Sequence, residues 1–234
     1  MKLINLINTN DYRNLGSGKT TIIREAASKL AEVSNVMVVD TSNEIAGDGT
    51  DPHECIGLAR RIMVPSKNKQ AEIMVNVVQN HTPHIMVIDE IGRPREVQAA
   101  NTVKNRGVRM IASAHGDLRS LLKNKDLVGL VGGLERSTIG DDAAWKEFKR
   151  RKQLMLGQDG ENSSNSVTKT KVERAGSPTF EIIVEVSRES QHSWRIVNCS
   201  ATAVDAILSG RKYKAHRRRR DPDTGEMFMN FIDA

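Results

Sequence analysis

Four segments of this sequence combine residue types and spacings suited to phosphate chemistry. Gly16, Ser17, Gly18, Lys19, Thr20 and Thr21 form the second half of the pattern G-x-x-x-x-G-K-[ST]. Small residues there let successive backbone N–H groups turn inward around phosphate oxygens, and the helix that follows adds its positive end. Lys19 is spaced to reach β and γ phosphates as a point charge. The Thr20 hydroxyl is spaced to ligate Mg²⁺, an ion that normally keeps several of its waters. Seventy residues beyond Lys19, the apolar run Ile85–Ile88 ends in Asp89 and Glu90. Such a pair suits phosphoryl transfer: Asp89 would hold Mg²⁺ through water, and Glu90 would orient or deprotonate the attacking nucleophile. A third segment, Ala112–Gly116, brings Ser113 and His115 to a strand end, where a γ-phosphate sensor belongs. The fourth, Asp40–Gly49, is a polar loop with two glycines and three acids; its Glu44 is a second candidate for activating water. Composition and spacing do not separate Glu44 from Glu90.

Three features qualify this set. Arg13 stands where the pattern's first glycine belongs, and the polar stretch Asn8–Tyr12 follows Leu3–Ile7 where an apolar strand end is expected. Arg60, Arg61, Arg93 and Arg95 follow the acidic segments and are candidates to stabilise transition-state charge from a neighbouring subunit. His81 and His84 flank Pro83 without acids or thiols at ligand spacing, which speaks against a metal there.

The elements that position these residues follow from hydrophobic periodicity. Asn35–Asp40, Ile85–Asp89 and Val108–Ser113 have the length and β-branching of buried strands. Between them, Thr20–Val33 places Ile22, Ile23, Ala26, Ala27 and Leu30 on one helical stripe. Ser66 is expected to cap a second helix with Ile73, Met74, Val77 and Val78 inside, and Pro94–Lys104 reads as a third that stops at Gly107. Strand and helix in alternation imply parallel strands with crossover helices, a three-layer α/β sheet. Beyond Gly140, Trp145–Lys152 reads as a short basic helix or turn, and Gly157–Thr170 as a mobile loop. Val167–Arg174, Phe180–Ser187 and Trp194–Asn198 read as strands that extend or flank the sheet in antiparallel fashion. The resulting organisation is a core over 1–200, a short helix over 201–210 and a basic tail over 211–234.

The chain has 234 residues, 38% of them hydrophobic and 27% charged, which excludes wholesale disorder and disulfide scaffolds. It holds no apolar stretch long enough to span a bilayer. Cys55 and Cys199 read as reduced thiols. The net charge is +6, but the seven Lys and Arg of Arg211–Arg220 contribute +7 without an acid, leaving the other residues at −1. That decapeptide reads as a solvated tail, a localisation run or a nucleic-acid patch. An aromatic content of only 3% speaks against a stacking platform for single strands.

Taken together, GSGKTTIIRE, VVDTSNEIAGDG, HECIGLARRIMVP, HIMVIDEIG, GVRMIASAHG and PTFEIIVEV resemble a P-loop ATPase family. That family is known as a hypothetical reading frame of algal plastids and cyanobacteria and as nuclear genes in plants. It is similar in turn to the stage III sporulation AA ATPase and, more distantly, to secretion-type ATPases. The match runs from about Leu15 to Ser209, and DTSNEIAGDG is its most specific part. The resemblance implies a RecA-like P-loop NTPase: an α/β, mainly parallel sheet flanked by helices, with antiparallel strands towards the C-terminus. It implies ATP and Mg²⁺ as ligands, with Gly16, Ser17, Gly18, Lys19, Thr20 and Thr21 on the nucleotide, and Thr20 and Asp89 on the metal. Glu90, Glu44 and His115 fall on positions tied to catalysis, and the implied state is a homo-oligomer. Members commonly carry a further N-terminal domain, and some end in a module for single-stranded nucleic acid. With 18 residues before Lys19, a truncated or alternatively spliced product is the expectation. The first 15 residues lack an Arg- and Ser-rich leader or a signal-peptide core, while the resemblance points to the chloroplast. Three readings stand at this point: a Mg²⁺-dependent ATPase, an impaired nucleotide-binding remnant acting through partners, and a nucleic-acid-binding module working through Arg211–Arg220 and the Lys146–Lys152 cluster.

Overall fold

Apolar runs become strands and helical stripes become helices in a computed structural model of the chain. It describes residues 5–9, 18–142, 144–146, 148–149, 169–186, 193–221 and 223–234. In order, β1 (Asn5–Thr9), α1 (Lys19–Ala31), β2 (Val36–Asp40), β3 (Arg60–Met63), α2 (Gln70–His81), β4 (Ile85–Glu90), α3 (Pro94–Asn105) and β5 (Arg109–His115) form the first part. There follow α4 (Leu118–Lys123), β6 (Leu134–Thr138), β7 (Thr170–Arg174), β8 (Ile182–Val186), β9 (Ser193–Val197), α5 (Ser200–Leu208), β10 (Lys214–Arg220) and β11 (Met227–Asp233). Most of the expected loop over 157–170 and the end of the basic segment Trp145–Lys152 lie outside the described residues.

One sheet has the order β11-β10-β9-β8-β1-β5-β4-β2-β3. The run from β8 through β3 is parallel throughout, and β9, β10 and β11 are antiparallel additions at one edge. β5 is inserted between β1 and the acid-bearing β4, so the architecture is the expected RecA-like α/β sheet. Period-two alternation divides its inner strands between two faces. Val36, Val38, Ile85, Val87 and Ile111 pack with α1 through Ile23, Ala27 and Ala31. Met37, Val39, Met86, Ile88, Met110 and Ala112 pack beneath α2, α3, α4 and α5. Strands buried on both faces need the continuous apolar runs seen in the sequence.

The structure corrects four sequence readings of the fold. Ser66 makes no side-chain cap; a 3-10 turn over Lys67–Lys69 leads into α2 instead. β8 runs parallel to β1, not antiparallel, with Ile182 opposite Asn5. This direction suits its apolar sequence, since a strand beside the sheet's centre is covered on both faces. β7 is outside the main sheet and pairs with β6 in a separate two-stranded sheet, in keeping with a strand none of whose residues is buried. Finally, the basic run is not a tail: Lys214–Arg220 is the paired strand β10, flanked by β9 and β11. Buried Tyr213 and Ala215 and the partly buried Ile232 anchor its base to the core, an apolar signal hidden among seven cations.

Candidate functional site

Because β1, β5, β4 and β2 are parallel, their carboxyl ends reach the same edge of the sheet. Thr9 ends β1 in register with His115 at the end of β5, and Glu90 lies opposite Ser113 across an irregularity in the ladder. Gly16 and Ser17, and Arg13 with them, lie outside the described residues. Gly18 is described: it caps α1 at φ +82 in the left-handed region. A Cβ there would meet nothing within 4 Å, so backbone conformation rather than crowding calls for glycine. No side chain caps α1 and no acid lies in its first turn. The first N–H groups, including those of Lys19, Thr20 and Thr21, therefore present the positive end of the helix to an incoming anion.

Lys19 heads this helix at a half-buried position. Burial lowers its ammonium pKa, while the nearby carboxylates of Glu90, Asp89 and Glu44, in that order, pull it back up. Three predicted acids therefore share the field of one lysine. Glu90 also meets His115 directly, with Nε2 at 3.2 Å from Oε1 and both side chains a little under half exposed.

Asp89 is only 7% exposed. Burial raises its carboxyl pKa, and Asp40 and Glu44 push the same way; the Ser42 hydroxyl and backbone N–H donate to Oδ2 and oppose the rise. The Ser113 hydroxyl donates to the Asp89 carbonyl, tying the ends of β4 and β5 together.

The acidic loop after β2 is braced from two sides. Arg24 of α1 donates to the carbonyls of Glu44 and Ile45, the latter at 2.7 Å. Arg61 of β3 donates to Ala46, Gly47, Gly49 and Thr50 at 2.6–3.3 Å. Arg60 donates to Asn35 Oδ1 at 2.8 Å. Arg60 and Arg61 thus serve their own chain, which corrects their reading as arginines offered to a neighbour. Arg93 contacts Asn68, and Arg95 remains exposed. Inside the loop, fully buried Asp40 accepts from Ala46 N at 2.8 Å through Oδ2, while Oδ1 has no partner among the described residues.

Gln70 joins these tips and escaped sequence reasoning. It accepts from the Thr41 hydroxyl at 2.7 Å and donates to the Glu90 carbonyl at 2.5 Å. A cavity of about 190 Å³ opens between it, Ser42, Asp89, Lys67 and Arg93. The one available signal was a glutamine on the apolar stripe of α2, one turn ahead of Met74.

Mg²⁺ fits this donor set. Among the described residues, no group of three or more His, Cys, Asp or Glu is arranged to hold a metal by itself. Mg²⁺ does not require one, since it takes one or two carboxylates and completes its octahedron with waters and substrate phosphates. A carboxylate whose pKa is raised by burial and further by neighbouring acids, Asp89, is the group that such a cation would return to its charged form.

The sequence model of the family described as sporulation stage III, protein AA matches residues 13–139. The chain is similar to protein SEEDLING PLASTID DEVELOPMENT 1 of Arabidopsis thaliana, 43% identical over 84% of this chain and 26% of that protein. It is also similar to the uncharacterized protein ycf45 of Porphyra purpurea, 38% identical over 87% of this chain and 33% of the relative. The chain thus spans about a quarter to a third of the length of these relatives. Among solved structures it is similar to the pilus retraction motor PilT with bound ADP, at a TM-score of 0.46 and 9% identity. That match covers 100% of this chain and 48% of the other.

Proposed function

Since the chain belongs to the sporulation stage III protein AA family, we propose that its strand-end site binds ATP with Mg²⁺ and hydrolyses it. The observation that carries this reading is the convergence of Lys19, Asp89, Glu90, Glu44 and His115 on one uncapped helix end. In the proposed mechanism, the N–H groups after Gly18 and the Lys19 ammonium bind the β and γ phosphates. Thr20 and Asp89 would hold the cation, which would supply charge neutralisation to the phosphates. Glu90 orients the attacking water and accepts its proton, since it stands first among the acids around Lys19. Glu44 sits on a loop braced by Arg24 and Arg61 and shapes the field from further away. With its proton on Nε2, His115 donates to Glu90 and keeps that carboxylate aimed at the phosphates until the γ phosphate competes for it.

The active form we propose is a homo-oligomer, with exposed Arg95 the arginine available to an adjoining subunit. The name of the Arabidopsis relative, a seedling plastid development protein, supports placement in the chloroplast. No helix among the described residues is long and apolar enough to cross a membrane. The second reading, a nucleotide-binding remnant without turnover, is favoured by Arg13 in place of the first loop glycine.

Thermal unfolding with and without Mg²⁺·ATP, alongside phosphate release, tests both readings. Ligand at a hundred times its Kd stabilises by about 2.7 kcal/mol, or about 5–10 °C for a chain of this size. Lys19→Ala is expected to abolish the shift and the turnover together. A shift without turnover that gains turnover in Arg13→Gly selects the remnant. Turnover undiminished in Lys19→Ala refutes both.

A further inference from the structure

The end of the sheet furthest from β3 carries a surface that the nucleotide site does not use. Only eight aromatic residues (Phe, Trp and Tyr) occur in the chain, yet Trp194, Tyr213, Phe228 and Phe231 all fall in β9–β11 or just before β10. Cross-strand register sorts them against the cations. On one face of β10, Arg218 lies between Trp194 of β9 and Met229 of β11, with His216 opposite Phe231 and Arg220 opposite Met227. The Arg218 guanidinium stands 4.7 Å from the centre of the Trp194 ring, and the His216 and Phe231 rings are 4.1 Å apart. Met229 is 63% exposed and Phe231 70%. Rows along this face recur every second residue, about 6.7 Å apart.

Acids are kept to the ends of this hairpin: Asp221, Asp223 and Glu226 in its turn, and Asp233 at its foot. Asp221 feels Arg219, but its carboxylate is committed to the N–H groups of Asp223 at 2.9 Å and Thr224 at 3.1 Å, which hold its pKa low. Among the described residues, the middle rows therefore carry positive charge without a paired acid.

We propose that this face of β9–β10–β11 binds single-stranded nucleic acid, with the arginines on phosphates and Phe231 and its neighbours stacking on bases. Each row sets a β10 side chain, His216, Arg218 or Arg220, directly beside an apolar side chain of β11, which matches a polymer whose every unit carries a phosphate and a base side by side. An anionic bilayer instead selects apolar side chains gathered on one side with cations around them. Here Met227, Met229 and Phe231 stand in a single column with the β10 cations along one side only, and Phe228 belongs to the opposite face by its register with Arg219. A second copy of the chain would bring like-charged arginine rows together. A duplex hides the base faces that the rings would stack on.

The test is fluorescence anisotropy of labelled oligothymidylate and oligouridylate with the full chain, free of ATP, between roughly 50 and 200 mM salt. Binding should weaken with salt, and the Arg218→Gln/Arg220→Gln chain should lower the log–log slope by about 1.4, two single-strand phosphate contacts at 0.7 each. Phe231→Ser should weaken binding about fivefold or more at unchanged slope, since one stacked base is lost. Phe231 is mostly exposed, so an unchanged melting temperature will show that the fold is intact. Lys19→Ala should bind as the parent does, which keeps this result separate from the ATPase reading. Four outcomes overturn the proposal: no salt-sensitive binding, a duplex bound as tightly as the single strand, both variants binding like the parent, or phosphatidylserine vesicles captured while oligonucleotides are not.

Discussion

Replacing Gln70 by leucine tests whether the strand tips form one mechanical unit. Gln70 opens α2 and is 2% exposed, and its amide bridges the Thr41 hydroxyl beyond β2 and the Glu90 carbonyl that ends β4. Leucine preserves bulk and helix propensity but leaves a donor and an acceptor stranded. Each stranded buried group costs about 1–3 kcal/mol. Both partners here are only partly buried and can recruit water, so the low end applies to each, about 2 kcal/mol together. For a chain of this length that corresponds to a melting temperature lower by about 4–8 °C. Turnover should fall further than nucleotide affinity, because Glu90 loses the bond that fixes its backbone while the helix end at Gly18 is untouched. Calorimetry of Gln70→Leu, Thr41→Val and the double variant checks the origin. Removing the Thr41 hydroxyl also removes one stranded group, so the double variant should lose at least about 0.5 kcal/mol less than the two single costs added. Additive costs, or a Gln70→Leu melting point within about 1 °C of the parent, would refute the bridge.

Two further outcomes follow from burial. Burial raises the Asp89 carboxyl pKa, so its contribution to stability is present in acid and is lost as pH rises through that raised value. Asp89→Asn should therefore melt higher than the parent at neutral pH, with the advantage fading on acidification, while turnover is lost; equal melting points at every pH would contradict this. Phe180, fully buried against the α4 and α5 side of the core, should cost about 3–5 kcal/mol as Phe180→Ala. Urea denaturation should show a lower midpoint at an unchanged slope, with the same loss whether or not nucleotide is present.

The parallel core was legible because its strands are covered on both faces. Burial on both sides demands unbroken runs such as Ile85–Ile88, and those runs leave a single place for Asp89 and Glu90, at the strand end. The helices were legible because one covered face imposes a stripe: of the residues read on it, Ile23 and Ala27 are buried, while Ile22, Ala26 and Leu30 are partly buried beside them. What escaped depends on partners distant in the chain. Gln70 looks like an ordinary polar residue until β2 and β4 are brought beside α2. Arg61 has the composition of a surface cation, yet it is spent on four carbonyls of the loop over 46–50. The direction of β8 was not written in its own residues either, because apolar alternation reads the same from both ends.

The hairpin at the far edge shows why composition and register answer different questions. Summed over the whole chain, few aromatics argue against stacking, and seven cations within ten residues argue for a solvated run. Register reverses both inferences at once: a strand sends alternate side chains to opposite faces, so the cations split into two rows and are thinned to one every second residue. Beside Arg218 stand Trp194 and Met229 from the neighbouring strands, and beside His216 stands Phe231. Charge that would repel itself in a coil is spread along a sheet whose base is held by Tyr213, Ala215 and Ile232. The same pairing that makes the segment structured is what mixes guanidinium with ring on one face, so any change that unpairs β11 should abolish order and surface together.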